Sequence, residues 1–160
     1  TERTRDDESW FFSRLIGTWD VEQTRRDRDG WRAVPELALW IWTETLGGSA
    51  IQDYWVSRSE DAETGAVGQI GTNLRIFDDE AALWRIVWTA NDATAFTEYE
   101  AVDTGDAVVM TGRHPMSGEV SRITYTLLDD DTLDWLLEFE RPTGWLAVSR
   151  VRATRRTPTP

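Results

Sequence analysis

The sequence predicts an all-β fold, a single up-and-down antiparallel β-barrel of about ten strands with a short N-terminal helix at the barrel base. Two patterns lead to this prediction. Nine turn signals, such as Asp29-Gly30 and Gly47-Gly48, divide the chain into ten segments. The segments are rich in aromatic and β-branched residues and alternate in part between apolar and polar positions, which is typical of strands joined as consecutive hairpins.

The predicted strands follow one another at close spacing. They lie near residues 17–26, 32–45, 49–58, 68–77, 82–90, 95–102, 107–114, 119–128, 132–140 and 145–155. Ten antiparallel strands in one domain must close or form a sandwich to remove their exposed edges. Closure is the more economical arrangement, and a ten-stranded barrel is wide enough for an internal cavity unless large side chains fill it.

One segment, residues 7–16, is predicted to be helical. Acidic residues stand at its start, where Asp6 or Asp7 can cap it, and Gly17 ends it. Because the segment is short, we expect it to dock on the barrel.

The chain is predicted to form a single domain over residues 1–160, with the barrel spanning residues 17–155. Residues 156–160 carry Pro at alternate positions and no apolar anchor, so we expect them to be disordered. At 160 residues the domain buries about two thirds of the surface that its unfolded chain exposes.

Composition excludes several classes of function. There is no Cys, and therefore no disulfide, thiolate nucleophile or Cys-based zinc site. No apolar run approaches the ~20 residues of a membrane span, and no secretory segment opens the chain, so we expect a soluble cytoplasmic protein. The net charge is −12, and residues 1–140 hold 12 Arg against 29 acids. A protein with this much negative charge repels phosphate backbones and anionic lipid headgroups, which argues against nucleic-acid and membrane partners.

Several blocks of the sequence resemble known barrels. The helix followed by LIGTWDV at residues 15–21 resembles the Gly-x-Trp opening of the calycin superfamily. The blocks LGGSAIQDYW at 46–55, GTNLRIFDDEAALWRIVW at 71–88 and WLAVSRVRATRR at 145–156 are similar to an uncharacterised bacterial group of lipocalin-like barrels. The resemblance implies that the helix closes the barrel base.

The same resemblance implies a contact at that base. In lipocalins an Arg of the last strand stacks over the conserved Trp, which here would place Arg150 or Arg152 over Trp19 as a cation–π contact. Nitrobindin-like haem barrels also begin with a helix and Gly-Thr-Trp, and their proximal His lies on the final strand. Here that strand has no His, and the single His is His114, several strands earlier. We therefore expect no haem, no other cofactor and no metal site.

The aromatic content predicts a cavity inside the barrel. The chain has ten Trp, more than a closed core requires, and strand alternation places many of them on inward faces. The predicted ligand-binding residues are Trp40, Trp42, Tyr54, Trp55, Arg75, Trp84, Trp88, Tyr99, Tyr125 and Trp135. Strand 32–45 is ambiguous, because a one-residue shift reverses every side chain. The alternative, in which the rings simply fill the barrel, stays open.

Three polar residues are candidates for catalysis: Asp53, Glu98 and His114. A carboxylate buried beside an indole can exchange protons near neutral pH. Each candidate also has a structural interpretation, because Asp53 and Glu98 can be solvated on a strand face and His114, which precedes Pro115, can lie at the rim.

The sequence leaves two main hypotheses for function. The first is binding of a small, largely apolar molecule, aromatic or polyene, in a Trp-lined cavity. The second is a cofactor-independent biosynthetic enzyme, a cyclase or isomerase, that folds a reactive apolar substrate in the same cavity. Phosphate loops, nucleophile elbows, zinc-protease motifs and dinucleotide fingerprints are absent. A barrel that binds proteins through aromatic residues on its outer wall is a third hypothesis, and a homodimer is left open.

Overall fold

The computed structural model describes residues 10–35, 37–58 and 68–157, and these form one antiparallel sheet of eleven strands. The strands are β1 (Gly17–Asp27), β2 (Gly30–Ala33), β3 (Leu37–Thr45), β4 (Ala50–Arg58), β5 (Ile70–Asp78), β6 (Leu83–Ala90), β7 (Thr97–Asp103), β8 (Ala107–Arg113), β9 (Val120–Asp129), β10 (Thr132–Arg141) and β11 (Gly144–Arg155). Two 3-10 turns, Phe12–Leu15 and Leu46–Gly48, are the helical elements of the described residues. Neither turn is long and apolar enough to cross a membrane.

The sheet closes into a barrel whose wall has ten strand positions, which we call staves. From β3 to β11 each strand pairs with the next along the chain, and β11 pairs with β1 to complete the ring. The predicted up-and-down barrel of about ten strands is therefore confirmed. All pairings are antiparallel, and the β11–β1 pairing closes the ring, whereas β2 pairs with β1 alone among the described residues.

The predicted strand 32–45 is divided into two strands, β2 and β3. Both pair with β1, which places residues 30–33 beside residues 24–27 and residues 38–42 beside residues 17–21. The break falls at Pro35, which has no backbone N–H to donate to the ladder. β2 and β3 together thus make one interrupted stave.

The segment before β1 closes one end of the barrel. Where the sequence predicted a helix over 7–16, the structure has the 3-10 turn Phe12–Leu15, and residues 7–9 lie outside the described residues, as do 158–160 of the predicted disordered tail. Phe11, Phe12 and Leu15 are fully buried. The backbone N–H of Phe11 donates to Asp103 Oδ2 at 2.9 Å, which ties the segment to the end of β7. We call residues 10–15 the plug.

The first strand is held to the plug by Trp19. Its side chain is fully buried, and its indole N–H donates to the carbonyl of Leu15 at 2.8 Å. The guanidinium of Arg155 lies 4.4 Å from the Trp19 ring centroid and also donates to the carbonyl oxygens of Ile16 and Arg14. One cation thus covers the indole and satisfies two carbonyls of the chain that enters β1.

The arginine over Trp19 differs from the one predicted. Arg150 stacks on Trp31 of β2, and Arg152 forms an ion pair with Asp134. The register explains the difference, because Arg155 is the β11 residue directly opposite Trp19, whereas Arg150 and Arg152 lie opposite residues nearer the other end of β1.

We expect Trp19→Ala to lower the free energy of unfolding by about 3–5 kcal/mol, because it removes a large buried ring and leaves Arg155 without its aromatic partner. Urea denaturation measures this change. Trp145→Ala is the matched control, since Trp145 is partly exposed on the outer wall under Arg122, and its loss should be about 1 kcal/mol or less. Equal losses in the two variants would show that the Trp19 contact does not anchor the barrel base.

Candidate functional site

A cavity of about 700 Å³ occupies the barrel on the side away from the plug. Its mouth lies at the opposite end, among the exposed residues Arg25, Asp92 and His114 and the half-buried Glu119. Large rings and apolar side chains from seven strands make its wall. They are Trp40, Trp55, Trp88, Tyr99, Met110, Ile123, Tyr125, Trp135, Leu137 and Phe139.

Two glycines allow rings to lie flat against the wall. A Cβ added at Gly71 of β5 would lie 2.0 Å from the Trp88 ring of β6, and one added at Gly112 of β8 would lie 2.5 Å from the Tyr99 ring of β7. Real Cβ atoms do not approach other atoms so closely, so each ring covers a position where only glycine fits. Because these rings lie along the wall, the space at the barrel axis stays open.

A buried ion pair forms the floor of the cavity. Asp53 of β4 and Arg75 of β5 are each almost fully buried, and Arg75 Nη2 donates to Asp53 Oδ2 at 3.1 Å. Asp53 Oδ2 also accepts the indole N–H of Trp40 at 2.7 Å, and Oδ1 accepts the backbone N–H of Asn73 at 2.7 Å and its side-chain amide at 3.2 Å. Each carboxylate oxygen therefore accepts at least two hydrogen bonds.

The rest of the Arg75 guanidinium is covered by aromatic faces. Its central carbon lies 4.3 Å from the Trp42 ring centroid and 4.6 Å from that of Phe12. Arg75 Nη2 also donates to the Tyr125 hydroxyl at 3.4 Å, across the barrel on β9. Arg75 Nε and Nη1 have no hydrogen-bond partner among the described residues. The aromatic rings lie where water would otherwise solvate these nitrogens, and ring faces attract a cation that is shielded from water.

Burial changes the titration of both inward tyrosines. Full burial raises the pKa of Tyr125 to about 12, an effect that the charge of Arg75 opposes. Burial also raises the pKa of Tyr99, and the hydrogen bond with Ser121 opposes this rise. Both hydroxyls thus stay protonated near neutral pH.

One side of the cavity wall carries small polar groups. Gln23 of β1 donates from Nε2 to Ser149 Oγ of β11 at 2.9 Å, and Ser121 Oγ of β9 donates to the Tyr99 hydroxyl at 3.3 Å. Because these groups bond to one another, they can lie beside apolar rings without an unsatisfied donor.

Six of the predicted ligand-binding residues border the cavity: Trp40, Trp55, Trp88, Tyr99, Tyr125 and Trp135. Trp42 and Trp84 face inward but lie below the floor, where Phe12 of the plug contacts both rings at 5.8 and 5.2 Å between centroids. Arg75 lies beside them and is sealed from the cavity. The sequence could not separate these from wall residues, because strand alternation distinguishes inside from outside and not the two ends of the barrel.

Tyr54 does not face the cavity. It lies between the inward residues Asp53 and Trp55, so its side chain projects from the outer wall, where it is partly exposed. Glu98 is likewise on the outer face, next to the inward Tyr99. Both placements are contrary to the sequence-based expectation and follow from the register of β4 and β7.

The three candidate catalytic residues do not form a constellation. Asp53 borders the cavity, but its oxygens are occupied by Arg75, Trp40 and Asn73. His114 lies exposed at the mouth, and its Nδ1 accepts the backbone N–H groups of the next turn at 3.2 Å. Glu98 is outside. Nothing in this geometry supports proton transfer by these residues.

Sequence reasoning missed two parts of the site. Phe12 was not identified as the ring that covers the Arg75 guanidinium, because its contact partners come from distant strands. Gly71 and Gly112 were not identified as the positions that the Trp88 and Tyr99 rings cover, although a glycine inside a strand often marks a place where another group approaches the backbone closely. Within the described ranges, no group of three or more His, Asp or Glu is placed to hold a metal ion.

Comparisons with known proteins inform the fold. No protein-family model and no curated protein matches the chain. Among solved structures, the S-type phycobiliprotein lyase CPES from Guillardia theta is similar, with a TM-score of 0.64 and 13% identity over 93% of this chain and 92% of that one. A protein of unknown function from Nostoc punctiforme aligns at 8% identity over 94% of this chain and 100% of that one, with a TM-score of 0.28 that is too low to inform the fold.

We expect Arg75→Met to lower the free energy of unfolding by about 3–5 kcal/mol, because it leaves the Asp53 carboxylate buried without its cation. The double variant Arg75→Met/Asp53→Asn should lose less than the sum of the two single changes, as a double-mutant cycle in urea would measure.

Arg85→Met is the control for this cycle, since Arg85 makes exposed ion pairs with Asp78 and Glu100. The Arg85→Met variant should lose much less stability than Arg75→Met, because exposed ion pairs contribute little. If Arg75→Met were no more damaging than Arg85→Met, the buried pair would not support the barrel.

Tyr125 should make the folded state sensitive to alkaline pH. The folded protein holds the Tyr125 proton more tightly than the unfolded chain does, so this stabilisation is complete below pH 10.0 and is lost as pH rises from there to about 12. The shift is worth about 2–3 kcal/mol of the free energy of unfolding.

Urea unfolding across this pH range should show a smaller loss of stability at alkaline pH in Tyr125→Phe than in the wild type. Tyr54→Phe, which removes an exposed hydroxyl, should retain the full loss. Identical pH profiles for wild type and Tyr125→Phe would contradict the shift.

Proposed function

We propose that the protein binds a small, largely apolar molecule, aromatic or polyene, in the cavity of its barrel. The observation that carries this proposal is a cavity of about 700 Å³ with a ring-lined wall, a floor in which the Asp53 carboxylate is paired with Arg75, and a mouth at one end. Its volume lies within the range of roughly 300–1,000 Å³ that is usual for small-molecule sites.

The chemistry of the wall indicates what kind of molecule fits. Indole and phenol rings present flat apolar faces, and two of the polar groups beside them, Gln23 and Ser121, already bond to Ser149 and Tyr99. Polar groups of a ligand that lay against the rings would lose their water without gaining partners, which is unfavourable. A planar conjugated molecule would replace water against the rings at no such cost.

Apolar contact alone can give measurable affinity. Removing about 400 Å² of apolar surface from water contributes about 10 kcal/mol at ~25 cal/mol per Å². The loss of translational and rotational freedom offsets at least about 4 kcal/mol of this. The remainder corresponds to dissociation constants of tens of micromolar.

The cavity, and not the 13% identical phycobiliprotein lyase, supports this function. The shared barrel architecture agrees with the calycin resemblance of the sequence, and we infer that the chain is a lipocalin-like member of that superfamily. We propose no reaction, because Asp53 has no free oxygen, Glu98 lies outside and His114 is held at the rim.

We expect pyrenebutanol to quench the tryptophan fluorescence in a saturable way, because pyrene accepts excitation from nearby indoles. Trp88→Ala should weaken this binding roughly three- to tenfold, since the Trp88 ring borders the cavity and a lost ring contact is worth about 1 kcal/mol. The dissociation constant is measured by fluorescence titration.

Trp42→Phe is the control, because Trp42 lies below the floor against Phe12 and Arg75. It should reduce stability while leaving the affinity for pyrenebutanol within twofold of the wild type, roughly the scatter of such titrations. Absence of saturable quenching in the wild type would refute the proposed function.

A further inference from the structure

Two arginines border the mouth of the cavity. Arg25 and Arg26 lie near the end of β1, both exposed and both in contact with the cavity space. Arg25 continues the inward-facing series of Trp19, Val21 and Gln23 along the strand. These two charges stand where a molecule entering the barrel would pass.

Neither arginine has an anionic partner in the part of the chain that the structure describes. The acids of the adjacent turn, Asp27 and Asp29, are both bound by Arg32, at 2.8 and 3.0 Å. Elsewhere at the mouth, Glu119 pairs with Arg141 at 2.8 Å. Arg28 of the same turn also forms no ion pair among the described residues, so uncompensated positive charge gathers at this end of β1.

The mouth is electrically asymmetric. Asp92 lies in the turn between β6 and β7, on the far side of the ring of strands from β1, and it accepts hydrogen bonds from Gln69 at 3.3 Å. The β1 side thus carries positive charge and the opposite side negative charge. A ligand with a charged end is therefore directed to one side of the opening.

Polarity also changes with depth beneath Arg25. In the pairing of β1 with β11, Arg25 lies opposite Ser149, and Ser149 accepts the side-chain amide of Gln23. Leu137 of β10 lies opposite Ser149, and Trp135 lies deeper, opposite Val151. Beneath Arg25 the wall therefore passes from a guanidinium and neutral polar groups to an indole ring.

We propose that the ligand carries an anionic group, of the carboxylate class, which binds the inward-facing Arg25 at the mouth, beside the charge of Arg26, while its apolar body lies against the rings below. This inference rests on the proposed binding function and specifies its ligand. A guanidinium presents paired N–H donors that match the two oxygens of a carboxylate. The ligand class is thus an aromatic or polyene acid.

The net charge of −12 does not prevent such binding. Charges separated by more than about 8 Å of physiological salt solution are largely screened. The ligand's carboxylate is therefore governed by its nearest neighbours, which are Arg25 and Arg26.

The test compares pyrenebutanoic acid with pyrenebutanol, which share the same ring and chain and differ in charge. Wild-type protein should bind the acid more tightly than the alcohol by roughly three- to tenfold, the effect expected of one or two exposed ion pairs. Added salt should reduce this preference. The double variant Arg25→Gln/Arg26→Gln should bind both compounds with the affinity that the alcohol has for wild type.

Arg156→Gln is the matched control, because it removes one positive charge at the plug end, where Arg156 pairs with Asp20. It should keep the preference for the acid, and thermal unfolding should show that all variants remain folded. Equal affinity of wild type for acid and alcohol, or a preference that survives in the double variant, would overturn the inference. Failure of both compounds to bind would instead refute the proposed function itself.

Discussion

The buried guanidinium of Arg75 is the constraint on which the interior depends. A cation with no exposed surface must be neutralised and surrounded, since burial without compensation costs several kcal/mol. Asp53 neutralises the charge from the neighbouring strand, and Phe12, Trp42 and Tyr125 surround it from the plug, β3 and β9. One side chain thus gathers residues from opposite sides of the ring of strands.

This arrangement divides the barrel into two regions. On the plug side, the rings of Trp10, Phe12, Phe77 and Trp84 make a filled core, with contacting rings 5.0–5.3 Å apart between centroids. Phe12 also stacks on Trp42. On the other side the ion pair ends the packing, and the wall rings lie flat over Gly71 and Gly112. The same ten-stranded barrel is therefore solid at one end and hollow at the other. The oxygens of Asp53, at the boundary between the two regions, are all occupied by hydrogen bonds.

Arginine has a repeated role in this protein. Arg155 covers Trp19, Arg150 covers Trp31, Arg122 covers Trp145 and Arg75 covers Trp42, each with its central carbon 4.3–4.4 Å from a ring centroid. A planar, weakly hydrated guanidinium stacks on indole while its N–H groups still donate at the edge, which an ammonium group does less well. All 17 basic residues of the chain are Arg and none is Lys, so each of these contacts is made by a guanidinium. Arg25 and Arg26, by contrast, make neither such a stack nor an ion pair among the described residues.

The sequence by itself determined the fold class and most of the inward faces. Regular turn signals and period-two alternation are local properties, so they predicted ten strands and placed Trp88, Tyr125 and Trp135 inside, while the facing of Trp40 stayed ambiguous. The tertiary structure decided which inward residues meet. Depth along the barrel axis depends on the stagger of the strands, and this depth separates Trp42 and Trp84 in the core from Trp55 and Trp88 at the cavity. The partner of Trp19 likewise depended on the β1–β11 register, which joins residues more than 130 positions apart. Pairings over such separations are set by the packing of the whole barrel, and no local pattern encodes them.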